Sequence, residues 1–174
     1  DGANGIDLIA GGKGDGAQVG WFEAPVDPRN LDAWAWHPIT DVGWVMSIRL
    51  RDMDGDGDED VVITDRKGPL RGARWLENPG PGPAQREPWA SHAIGGIGRE
   101  VMFMTLADLD ADGLEDAVVA VKPAEVLWLR RLDETGRRWS ETTIPFGRNM
   151  GRAKAAAVGD IDGDGRLDIV ITCE

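Results

Sequence analysis

Tyrosine is absent from the 174 residues, and there are only one cysteine, Cys173, and two histidines, His37 and His92. A single thiol excludes an intramolecular disulfide and a cysteine-rich zinc site, and leaves the redox compartment undetermined. No apolar run approaches the roughly 18 residues of a membrane-spanning helix, and no stretch keeps a 3.6-residue amphipathic pattern. Basic residues are outnumbered, 19 against 31 acidic, for a net charge of -12. That balance argues against nucleic acid as a partner, because phosphate binding rests on cationic surface. The G-x-S-x-G, H-E-x-x-H, dinucleotide-binding and P-loop signatures are missing as well. What the chain has in quantity is glycine (24), proline (10) and tryptophan (8). With 41% hydrophobic and 29% charged residues it reads as globular and long enough for a core. The glycine and proline content points to short strands joined by tight turns.

Three segments repeat one pattern: DMDGDGDED at 52–60, DLDADGLED at 108–116 and DIDGDGRLD at 160–168. Each is D-x-D-x-D-G-x-x-D, and each runs into an apolar stretch, VVIT, AVVA or IVIT. A degraded copy opens the chain, with Asp1 and Asp7 in the third and ninth positions and Ala3 replacing the middle aspartate. The ninth-position aspartates Asp7, Asp60, Asp116 and Asp168 are spaced by 53, 56 and 52 residues. Trp21, Trp75 and Trp128 keep the same phase, and so does W-x-x-H-x-I, as Trp34-His37-Ile39 and Trp89-His92-Ile94. The third unit retains it in part, as Trp139 and Ile144, with Thr142 in the histidine slot. Each period reads as four short strands, placed in the second unit at about 44–52, 59–66, 72–78 and 88–95. Repeats of this length holding four antiparallel strands are the mark of a β-propeller blade.

These aspartate loops, each followed by an apolar strand, resemble the FG-GAP/VCBS repeats of integrin-alpha-like propellers and of many secreted bacterial proteins. The resemblance implies an all-β propeller of four-stranded blades, about three per chain: a partial blade 1 over 1–42, blades 2 and 3 over 43–97 and 98–148, and a partial blade 4 over 149–174. It does not fix a function, since the family includes adhesion domains, carbohydrate-binding modules and enzymes.

Alternate carboxylates in a tight loop can converge on a hard cation such as calcium, while glycine permits the turn. The resemblance implies three structural calcium ions: one held by Asp52, Asp54, Asp56 and Asp60, a second by Asp108, Asp110, Asp112 and Asp116, a third by Asp160, Asp162, Asp164 and Asp168. The variable seventh residue, Asp58, Leu114 or Arg166, would add its backbone carbonyl. Six acids in the first loop, five in the second and four in the third make up nearly half of the 31. The alternative is a set of solvated acidic turns. The opening copy is expected to bind weakly or not at all.

Successive connections in a propeller alternate between the two ends of the ring. Opposite the aspartate loops fall Lys13, then Arg66, Lys67 and Arg71, then Lys122, with Trp44, Arg99, Glu100, Arg148, Arg152 and Lys154 entering the inner strands. A basic face for an anionic small molecule or a glycan is expected there, with Trp44 as a stacking surface; scattered solvated cations are the bland alternative. Glu100 is the only acid expected near this set besides Glu174. A rival reading is a hydrolase or lyase, resembling propeller lactonases and phosphotriesterases in fold alone, with Arg99, Glu100, Arg152 and Lys154 around a substrate oxyanion. For a channel metal the candidates are Asn149, Glu100 and Glu174. His37 and His92 are expected to pack and to hydrogen-bond between blades.

The strand tally is thirteen, as three, four, four and two, too few for a flat ring. Either a longer chain or a second copy would complete it; a homodimer closing a six- or seven-bladed ring is expected. Calcium-dependent folding points to an extracellular or periplasmic site, with no membrane insertion.

Overall fold

The computed structural model describes residues 2–174, excepting the Arg148 side chain. Asp1 of the degraded loop and the Arg148 side chain of the basic set therefore lie outside the described residues. Thirteen strands and three single-turn 3-10 segments form the regular structure, and no α-helix occurs among the described residues. Among the described residues no helix is long and apolar enough to cross a membrane.

The strands form four antiparallel sheets, each pairing neighbours in sequence. The first holds β1 (Leu8–Gly11), β2 (Gln18–Glu23) and β3 (Ala35–Asp41). The second holds β4 (Val45–Arg51), β5 (Asp60–Asp65), β6 (Gly72–Glu77) and β7 (Ala90–Gly95), each within two residues of its expected bounds. The third holds β8 (Val101–Ala107), β9 (Asp116–Val121), β10 (Glu125–Arg131) and β11 (Trp139–Pro145). The fourth pairs β12 (Ala153–Gly159) with β13 (Asp168–Cys173). The sheets stack in chain order, with β1 beside β4, β4 beside β8, and β8 beside β12. A register shift interrupts the start of each innermost strand β4, β8 and β12, which bends it as it enters the sheet.

Stacking explains why the strand after each aspartate loop lacks polar alternation. Every residue of β5 and β9 is buried. In β5, Val61 and Ile63 pack toward the first sheet with Val19, Trp21 and Ile39. Val62 faces the third sheet with Trp75, Val119, Leu127 and Leu129. In β9, Val118 turns to the fourth sheet, against Ala156, Ile169 and Ile171. A strand covered on both faces must be apolar at both phases of its period. β13 carries the same IVIT pattern but is covered on one side, and it remains half-exposed.

The repeated tryptophans join consecutive sheets. The Trp21 indole donates to the Gln85 carbonyl (3.3 Å), in the β6–β7 connection of the second sheet. Trp75, fully buried, donates to Gly136 O (2.9 Å) in the β10–β11 connection of the third. Gly136 also accepts from Trp139 (2.7 Å). It has φ 63°, and a Cβ there would stand 2.6 Å from the Met53 carbonyl, so glycine is required on both counts.

Candidate functional site

The aspartate loops lie between β4 and β5, β8 and β9, and β12 and β13, all at the same end of their sheets. Their first aspartate is a hub for backbone N–H groups. Asp52 accepts from Gly55 (2.7 Å) and Gly57 (3.1 Å), Asp108 from Asp112 (3.1 Å) and Gly113 (2.9 Å), and Asp160 from Gly163 (2.7 Å) and Gly165 (3.0 Å). The fifth position caps the seventh: Asp56, Asp112 and Asp164 accept from the N–H of Asp58, Leu114 and Arg166. The ninth ties the loop to the end of its sheet's third strand, as Asp60 accepts from Asn78 N and Asp116 from Arg131 N. Asp7 does the same in the degraded copy, accepting from Ala24 N (2.8 Å).

Carboxylate oxygens converge within 4.8 Å in three groups: Asp52, Asp54 and Asp60; Asp108, Asp110 and Asp112; Asp160, Asp162 and Asp168. Three of the four expected aspartates thus gather in each loop. Asp56, Asp164 and Asp116 stand outside the groups, Asp116 accepting from the Trp128 indole (2.8 Å). Burial pushes the Asp60 carboxyl up to about 6 and raises Asp54 and Asp116 as well.

At the other end of the sheets, Arg66, Arg99, Glu100, Lys122, Pro123, Glu125 and Arg152 line a cleft of about 630 Å³. The connections before β8 and β12 and after β5 and β9 converge there. Arg66 binds Glu100 at 2.9 and 3.1 Å, and Lys67 approaches it at 3.6 Å. These pairs, Arg66 foremost, hold the Glu100 carboxyl below its ordinary range. Lys122 and Lys154 share Glu174 (2.9 and 2.7 Å) and, Lys154 leading, draw its carboxyl down to about 2. Arg71 donates to the Gly98 carbonyl. The Arg66 guanidinium and the Lys13 ammonium lie over the Trp44 ring, 4.8 and 5.2 Å from its centre, so a sugar stacking there competes with both. Among the described residues the Arg152 side chain has no ion-pair or hydrogen-bond partner. Asp65, fully buried, ties the β3–β4 and β5–β6 connections together by accepting backbone N–H groups from Gly43, Trp44, Lys67 and Gly68. No sequence pattern marks it.

The family model described as an FG-GAP-like repeat matches residues 52–119 and 108–171. The chain belongs to that family. No curated protein matches it.

The FG-GAP loops fit a hard cation on a structural ground. Asp54 Oδ1 is buried without a hydrogen-bond partner in a carboxylate group that no lysine or arginine enters among the described residues, and Asp110 Oδ1 is likewise unpartnered although Arg130 pairs with the other oxygen of its carboxyl. Of the candidates for a channel metal, Glu100 is engaged by Arg66 and Lys67 and Glu174 by Lys122 and Lys154, and among the described residues the groups of three or more Asp, Glu, His or Cys that could hold a metal lie in the FG-GAP loops.

Two further expectations need correction, the second for His37 alone. Glu100 and Glu174 are not the only acids near the basic set: Arg99 turns to Glu125 (3.1 Å) and Glu141 (3.4 Å), because β10 and β11 of its own sheet present both beside it. His92 meets Arg137 of the next sheet as expected, 3.1 Å from Nδ1, whereas His37 has no partner outside its own sheet among the described residues. Each bonds a glutamate of its own sheet, Glu23 (2.8 Å) and Glu77 (2.6 Å), and stacks on the repeated tryptophan. The bridge is an arginine of the next sheet, Arg86 to Glu23 and Arg137 to Glu77.

Proposed function

We propose that this FG-GAP repeat chain is a calcium-stabilised propeller module whose basic cleft binds an anionic group, a carboxylate, sulfate or phosphate on a small molecule or a glycan. The observation that carries the reading is Arg152, an unpaired guanidinium in a cleft where the neighbouring cations are already paired. A guanidinium takes up such anions bidentately. The three aspartate loops hold calcium, which the millimolar levels outside cells or in the periplasm would keep loaded. Glu100, fixed as a charged carboxylate by Arg66 and Lys67, is poorly suited to give up a proton, so binding is favoured over hydrolysis. Titration with sulfate, phosphate and an acidic disaccharide, followed by amide chemical shifts, tests this. Arg152→Ala is expected to weaken binding about tenfold or more, and Arg29→Ala, remote from the cleft, to leave it unchanged. Binding of none of the three, or binding indifferent to Arg152→Ala, would sink the proposal.

We also propose that two copies close one ring of six or seven blades. The fourth sheet leaves a free edge at β13 with Ile161, Leu167 and Val170 exposed, and Ile6 and Leu8 are exposed at the first. Free edges and apolar surface of this kind favour pairing with another chain. Light scattering in calcium should give twice 18.8 kDa. A monomer would overturn closure by a second copy.

A further inference from the structure

We propose that the loop 108–116 is the weak member of the three calcium loops, and that Arg130 makes it so by standing in for the ion; this rests on the calcium reading above. Arg130 lies on β10, and its guanidinium occupies the loop of its own sheet. Nε pairs with Asp110 Oδ2, and Nη2 lies 3.3 Å from Asp112 Oδ2. Both carboxylates belong to the converging group of that loop. A fourth acid is engaged as well, because the Trp128 indole donates to Asp116 Oδ2.

The second sheet has the same positions filled the other way. Two residues after its tryptophan stands Glu77, an anion, which is satisfied by His92 and Arg137. The Trp75 indole leaves its own loop and bonds Gly136 O in the next sheet. Among the described residues no lysine or arginine pairs with Asp52, Asp54, Asp56 or Asp60, nor with any aspartate of 160–168. A calcium ion entering 52–60 meets carboxylates held by backbone N–H groups but paired with no cationic side chain among the described residues. One entering 108–116 must first displace a guanidinium from two of its oxygens and then tolerate that charge beside it. The loops are therefore graded: 52–60 and 160–168 fill first, and 108–116, held shut by Arg130 in the meantime, fills last.

A calcium chloride titration of the full chain, read residue by residue from amide and indole NMR signals, tests this. Gly113, Leu114 and the Trp128 indole report on the middle loop, Gly57 and Asp58 on the first, Gly165 and Arg166 on the last. In the wild type the middle-loop midpoint should lie about tenfold above the others, the worth of two exposed ion pairs. Arg130→Gln should close that gap, while Asp54→Asn should shift the 52–60 midpoint and leave the gap's other side in place. A second readout covers a change in fold. Arg130→Gln should melt lower than wild type without calcium and gain more on calcium addition. Equal midpoints in the wild type, or a gap that survives Arg130→Gln, would overturn the role of Arg130 while the calcium reading stands. If no loop responds to calcium, both fall.

Discussion

Stripping calcium with a chelator is expected to lower the melting temperature by roughly 15–30 °C. A ligand that binds only the folded state adds about 2.7 kcal/mol for each site held at a hundred times its dissociation constant. Three such sites give about 8 kcal/mol, and a chain of this size loses roughly 2–4 °C per kcal/mol. The effect is large because the loops concentrate carboxylates that, Arg130 in the middle loop apart, no cationic side chain neutralises among the described residues. The pH dependence should identify the cause. Without the ion, burial holds the Asp60 carboxyl at about 6, above its ordinary 3.8. Between those values the folded chain takes up a proton at this group that the unfolded chain does not. Its penalty is full above the folded value and disappears as the pH falls below the unfolded one, so the Asp60 contribution to metal-free stability should rise by about 3 kcal/mol on going from pH 7 toward pH 4, offset in part by the lowered carboxyls such as Glu100 and Glu174. The calcium-loaded protein should run the other way, because protons then compete with the ion for the same oxygens. Melting curves at pH 5 and pH 7, with calcium and with chelator, read both effects. Superimposable curves with and without calcium would remove calcium from the account of stability.

Trp75→Ala is expected to cost about 3–5 kcal/mol, the loss typical of a large aromatic cut from a core, whereas Trp128→Ala should cost only about 1 kcal/mol. The two tryptophans occupy the same place in consecutive repeats, so the difference belongs to their surroundings. Trp75 is fully buried between the second and third sheets, in contact with both, and its indole satisfies a carbonyl of the next sheet. Trp128 is half-buried and satisfies its own loop. Urea unfolding in saturating calcium, compared by midpoint at unchanged slope, separates them. Equal losses would mean that the fourth sheet covers Trp128 as well as the third covers Trp75.

Much of the fold is legible in the residues because its determinants are local. D-x-D-x-D-G-x-x-D specifies a loop by its own backbone hydrogen bonds, all closed within five residues for the first aspartate. The apolar run after it specifies a strand, and glycine and proline punctuate the rest. These are why β4 to β7 fall where the periodicity places them. Local chemistry does not say which oxygens a loop leaves free. Asp60 and Asp116 are identical in sequence position, yet one joins its carboxylate group and the other is taken by an indole twelve residues away.

The composition, the phase of the repeats and the aspartate loops determined that this chain is a series of antiparallel sheets of up to four strands, with aspartate loops at one end and basic residues at the other. Only the stacking of the sheets decided the partners. It set Arg137 against Glu77 from 60 residues away and Trp75 against Gly136 from 61, and it left Arg152 unpaired in the cleft. The physical reason is range: backbone conformation is fixed by neighbours in sequence, whereas the charge a side chain meets depends on which sheet faces it.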